Sequence, residues 1–125
     1  MGEPRQLGRE LLLAFAGFSL LVASVVLFWR QNLLLLIIVL LECALALARW
    51  HDRMDVSFLL TIAIFGSLAE LVFVRFGIWR YANPSLLGMP LWFPVAFGTT
   101  GLIGQRLARN VAAIWGRGAS SRPSE

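Results

Sequence analysis

Four stretches of the chain are almost continuously apolar, and polar residues gather between them. Residues 11–29 contain no charge at all; residues 33–48 are broken by charge only at Glu42, and residues 56–74 only at Glu70. The fourth stretch, 91–107, is polar at Thr99, Thr100, Gln105 and Arg106. As helices these runs would be roughly 24–29 Å long, enough to cross a hydrocarbon core with help from interfacial anchors. Period-two alternation is absent, and strands in a bilayer must close into large barrels. The pattern therefore predicts an all-α fold, a four-helix transmembrane bundle with spans at 11–29, 33–48, 56–74 and 91–107. A single membrane domain would occupy residues 1–115, and the polar residues 116–125 would form a disordered cytoplasmic tail.

The connections refine this plan. Arg30-Gln31-Asn32 is short enough to force an antiparallel hairpin, and in the second loop, 51–55, Asp55 stands where it could cap the third helix. The third connection, from Arg75 to Pro90, is the longest. The first run follows Arg5 and Arg9, as a signal peptide would. It is longer than a cleaved apolar region, however, and the bulky Leu27-Phe28-Trp29-Arg30 offers no cleavage site, so a retained helix is expected. No internal repeat supports an inverted-repeat transporter.

Composition moves the picture from an apolar protein to an integral membrane one. Of 125 residues, 58% are hydrophobic and 14% charged, with a mean hydropathy of +0.75; soluble domains lie near ~45–50% and ~25%. Collagen, coiled-coil, disulfide-scaffold and disordered classes are excluded, the third because Cys43 is the single cysteine. All eleven basic residues are arginines. Eight of them fall on the N-terminus, second loop and C-terminus, and three on the other two loops. That bias predicts a protein of the plasma (inner) membrane with both termini cytoplasmic, its arginines facing anionic membrane lipids. Nucleic acid is not an expected partner, because no soluble basic face exists to bind it.

Two carboxyls stand out. Glu42 lies near the centre of the second run, where it must be protonated, paired or facing water; it could carry a proton or anchor a substrate, or bond as a neutral group to Ser19, Ser24 or Thr61. Glu70 shares a stripe with Ala63, Gly66, Ser67, Val74 and Gly77, whose small members predict an inward face. Arg75 and Arg80 are its candidate cationic partners, through a bidentate pair. The third loop, with Trp79, Tyr81 and Trp92 among its prolines and glycines, is expected to fold back and close a pocket over Glu70, these aromatics lining the mouth. The same aromatics would also suit a belt at headgroup level. Gly98, Gly101 and Gly104 on the fourth run, like Gly66 on the third, read as helix-packing positions. Residues 33–41 read as lipid-facing surface. His51 has no second ligand at metal spacing, and no phosphate loop, nucleophile elbow or Cys–His pair is present, so neither metal nor cofactor is expected and no catalytic residue is assigned.

The segment Glu70, Gly77-x-Trp79-x-Tyr81-x-Asn83-Pro84, Gly88-x-Pro90-x-Trp92-x-Pro94 resembles a pattern found in small polytopic membrane proteins of prokaryotes. The resemblance covers about a quarter of the chain, implies a membrane fold and carries no activity with it. An acid before a Gly/Tyr-rich loop is also similar to carotenoid-pathway membrane hydratases and cyclases. Three functions stay open: a structural or assembly role beside other membrane subunits or further copies of the chain; lipid or isoprenoid binding or modification at Glu70; and proton-coupled transport, since the four-helix plan resembles small multidrug transporters. The last group keeps its acid in the first helix, which has none here.

Overall fold

Two three-residue connections make successive helices double back, and the rest of the architecture follows from what each helix can bury. The computed structural model describes residues 4–82, 84–85 and 87–120, with the side chains of Pro4 and of residues 117–120 left aside. Among the described residues there are four helices and no strand: α1 (Pro4–Phe28), α2 (Asn32–Arg49), α3 (Arg53–Arg75) and α4 (Phe93–Ser120). The first three are long and apolar enough to cross a membrane. The fourth is not, because Gln105, Arg106, Arg109 and Asn110 interrupt it.

This least apolar helix is the central one. α4 packs against α1, α2 and α3; α1 also packs against α2, while α3 rests on α4. The distribution of polarity is correspondingly inverted. Leu12, Leu27, Leu45 and Phe65 are 65–72% exposed, whereas Asp55 and Thr99 are fully buried and Gln105 and Asn110 nearly so. Buried polar atoms need internal partners. Thr99 and Thr100 donate to the carbonyls of Val95 and Ala96, and Asn110 Nδ2 donates to Arg106 O.

Glycines set how closely α3 approaches α4. A Cβ on Gly66 would lie 2.0 Å from the Phe97 ring, and one on Gly98 would lie 2.8 Å from both Ala63 Cβ and the Leu59 carbonyl. Gly101 meets Ile62 in the same way, at 2.7 Å. Gly104 departs from the expected packing role: a Cβ there would meet nothing within 4 Å, and the residue borders an open groove with Met54, Phe58 and Ala108.

Other expectations are corrected at the ends of elements. Asp52, not Asp55, is the N-cap of α3; it accepts from the Asp55 N–H at 2.9 Å while Asp55 accepts from the Asp52 N–H at 3.0 Å, so the two form a capping box with Asp55 at the third helical position. Helix α4 continues through residues 116–120, where a disordered tail was expected, and residues 121–125 lie outside the described residues. The 33–41 segment, expected to be an outer surface, is only partly exposed: Leu35 and Val39, four apart on one face, are fully buried.

Candidate functional site

The loop after α3 begins with a forced reversal. Gly77 (φ +72°) occupies the left-handed position of a Schellman motif, in which the Gly77 N–H donates to Val74 O at 3.0 Å and the Ile78 N–H to Phe73 O at 2.9 Å. The chain is thereby turned back along the helix it has just left. Trp79 Nε1 then donates to Glu70 Oε2 at 2.9 Å, and the Tyr81 hydroxyl to the same oxygen at 2.7 Å. Trp79 also packs on Phe73 (ring centroids 5.0 Å apart), and Tyr81 on Phe93 (5.8 Å). Further along, Gly88 (φ +93°) lies so close to α3 that a Cβ would stand 2.7 Å from Val74 Cγ1. The Ser85 hydroxyl accepts from the Leu91 N–H and from Asn32 Nδ2 at the start of α2.

The loop therefore does fold back over Glu70, but with different partners from those expected. Neither Arg75 nor Arg80 enters an ion pair with Glu70 among the described residues; both side chains are exposed. A guanidinium here would lose water for a half-buried acid, whereas Trp79 and Tyr81 bring donors on rings that pack against Phe73 and Phe93. Trp92 does not line a mouth. It is 8% exposed and fills the core with Leu21, Leu35, Val39 and Met89, because it immediately precedes Phe93, where α4 enters the bundle. Asn83 of the expected turn lies outside the described residues. Burial, and then the hydrogen bond to the Glu70 carboxylate, push the Tyr81 hydroxyl above its ordinary value.

Glu42 meets one of its three expected partners. Ser24 Oγ stands 2.6 Å from Glu42 Oε1 and 2.8 Å from Leu20 O. The single Ser24 hydroxyl proton is thus shared between two acceptors, Glu42 Oε1 and Leu20 O. Glu42 also borders an apolar cavity of about 270 Å³ between α1, α2 and α4, together with Leu13, Gly17, Leu20 and Thr99.

The densest polar cluster lies at the opposite end from the loop, and most of it escaped sequence reasoning. The buried carboxylate of Asp55 accepts from Gln105 Nε2 and Arg106 Nε, each at 2.7 Å, and is also paired with Arg106 Nη2. Asp52 accepts from Arg109 Nη1 at 2.8 Å and Arg106 Nη2 at 3.2 Å. The Arg109 hydrogen bond, followed by the Asp55 N–H, holds the Asp52 carboxyl well below the usual carboxylate range. Nearby, Glu10 on α1 pairs with Arg49 and accepts from Trp50 Nε1 at 2.9 Å, joining α1 to the end of α2. Arg9, Glu10, Arg49, Arg106 and Arg109 surround a cleft of about 550 Å³. The Asp-x-x-Asp spacing could have signalled the cap; nothing local signals partners about 50 residues away.

Comparison with known proteins finds no family model, no curated protein and no solved structure that matches the chain.

Proposed function

We propose that the chain is a four-span integral membrane protein of the inner membrane with a structural or assembly role and both termini cytoplasmic. One observation carries the structural reading: each carboxyl within the apolar helices serves as a tie between segments. Glu42 joins α2 to α1 through Ser24, Asp55 joins α3 to α4 through Gln105 and Arg106, and Glu70 joins α3 to its own following loop. An acid that hydrolysed, hydrated or carried protons would need access to its ligand. Two donors already sit on the same oxygen of Glu70, so support for a reaction there is reduced. In this reading α4 spans despite its polar half, because its neighbours shield it and Thr99, Thr100, Arg106, Asn110 and the Gln105 amide nitrogen have internal partners. The arginine-rich end, where the N-terminus, second connection and C-terminus converge, faces the cytoplasm.

Assembly is tested by cross-linking in intact membranes followed by mild-detergent extraction and native mass spectrometry. The expected result is a defined complex, with further copies of this chain or with another membrane polypeptide. Recovery as a lone polypeptide at every detergent concentration overturns the assembly role. A fusion after Glu125 should fluoresce as a cytoplasmic GFP and be silent as alkaline phosphatase; the reverse result overturns the topology.

A further inference from the structure

The arginine cleft and the apolar cavity beside Glu42 adjoin at Arg49. On α1, Gln6, Glu10, Leu13, Gly17 and Leu20 follow at steps of three and four residues and so share a face. The first two border the cleft and the other three the cavity. Arg49 borders both. The groove therefore runs from the charged end, past Arg49, and into the apolar bundle as far as Glu42.

Its two halves demand opposite chemistry. The cleft presents four guanidiniums, from Arg9, Arg49, Arg106 and Arg109, and only one carboxylate, Glu10. Arg106 and Arg109 are engaged from behind by Asp55 and Asp52, and Arg49 by Glu10; Arg9 is exposed and in none of these ion pairs. Arginine forks match the oxygens of phosphate in geometry and charge. The inner half presents a mostly apolar wall, with Leu13, Leu20, Leu21, Leu45 and Ile103 beside the polar Glu42 and Thr99, and its 270 Å³ falls just short of the ~300–1,000 Å³ typical of small-molecule sites, the scale of a single hydrocarbon chain. Free phosphate would leave that half unused, and an uncharged lipid would leave the arginines unmatched.

We infer that this groove binds one membrane phospholipid, with its phosphate on Arg9 and Arg49 and one acyl chain along Leu13, Gly17 and Leu20 toward Glu42. The inference rests on the membrane-embedded reading, since the lipid enters from the leaflet at the charged end. Arginine-lined recesses between helices at that level suit anionic headgroups. Glu42, hydrogen-bonded to Ser24, closes the inner end.

The test is native mass spectrometry of the full chain released from micelles doped with phosphatidylglycerol, or with a diacylglycerol of the same chains. One phosphatidylglycerol should be retained and no diacylglycerol. Arg9→Gln should weaken retention roughly tenfold, the size of one charge-assisted hydrogen bond. Arg5→Gln, which removes the same charge from the same end but does not border the groove, should leave it unchanged. Gly17→Leu should abolish it by filling the inner half. Gly17→Ala should retain it, because its Cβ would meet Ile103 at an ordinary 3.5 Å. Equal loss in Arg5→Gln and Arg9→Gln would reduce the effect to general surface charge and overturn the inference. So would undiminished retention in a folded Gly17→Leu protein, or thermal protection by inorganic phosphate alone equal to that by the lipid. Extraction of the chain by alkaline carbonate would instead defeat the membrane reading; a carbonate-resistant protein that retains no lipid defeats the groove alone.

Discussion

At one end of the bundle a carboxylate with no exposed surface, Asp55, is held by Arg106, Gln105 and a backbone N–H; at the other a half-buried one, Glu70, is held by the neutral donors of Trp79 and Tyr81. The first arrangement joins residues about 50 apart and fixes α3 against α4. The second joins residues 9 and 11 apart and fixes a loop against its own helix. The difference is one of what burial demands. A fully buried charge needs an opposite charge and several hydrogen bonds, or it costs several kcal/mol. A half-buried carboxylate keeps some water and is served by two neutral donors, each net bond to a charged group being worth about 1.5–3 kcal/mol. The charged end should therefore govern whether α3 and α4 stay associated, and the aromatic end only how the loop is seated.

The strongest way to break that comparison is to remove Arg106. Arg106→Leu leaves Asp55 buried with only Gln105 and the Asp52 N–H and should cost about 3–5 kcal/mol, measured as the unfolding free energy in detergent micelles titrated with SDS. Adding Asp55→Leu should recover most of the loss, because apolar replacement of a whole buried pair is often close to neutral. A single-mutant cost below about 1 kcal/mol would mean that water reaches Asp55 and that the two ends are alike.

A smaller effect is expected at the loop. Glu70→Ala should cost about 1.5–3 kcal/mol in all, less than two full bonds because the exposed Trp79 N–H regains water, and the Trp79 environment should become visibly more polar in fluorescence. Trp79→Phe and Tyr81→Phe should couple in a double-mutant cycle because they share that oxygen. Glu42→Gln, which keeps shape and hydrogen bonding to Ser24, should stay within about 1 kcal/mol of the parent. A larger loss from Glu42→Gln than from Glu70→Ala would reverse the order of the two acids.

What could be read from the sequence follows the same division. The helices were legible, because uninterrupted apolar runs of that length have few other folds, and the return of the loop over Glu70 was legible from Gly77, the prolines and the nearby aromatics. The identity of the donors was not: opposite charge singled out Arg75 and Arg80, while the ring packing that favours Trp79 and Tyr81 depends on Phe73 and on Phe93 from another helix. The capping pair was half-legible, with Asp55 assigned the place that Asp52 holds. The Asp55–Arg106 and Glu10–Arg49 pairs left no local trace. Arg106 read as the polar fringe of a span, since only the assembled bundle places it beside a carboxylate from another helix. The inversion of polarity that puts α4 at the centre was likewise hidden, because hydropathy scores a helix without its neighbours.

The finest distinction between the two ends is the direction in which pH loosens them. Asp52 has its folded value held below the ordinary carboxylate value, so its contribution is present above about pH 4 and is lost as pH falls through the folded value. Tyr81 has its folded value held above the ordinary phenol, so its contribution is present below about pH 10 and is lost as pH rises through the folded value. Acid should thus weaken the charged end and alkali the aromatic end. Asp52 is exposed, so the acid effect should be small and should shrink further in high salt. Tyr81 is the single tyrosine in the chain, which lets it be watched alone. The tyrosinate absorbance of the folded protein should stay low at pH 10, where a free phenol is half ionised, and rise only beyond it. Glu70→Gln removes the carboxylate that repels a phenolate and should shift that rise downward, while burial keeps it from returning fully to 10. A parent protein that titrates at about 10, or a Glu70→Gln protein that titrates no earlier than the parent, would show that the Tyr81 hydroxyl is not held on Glu70 in the folded protein, and the clasp at this end would have to be given up.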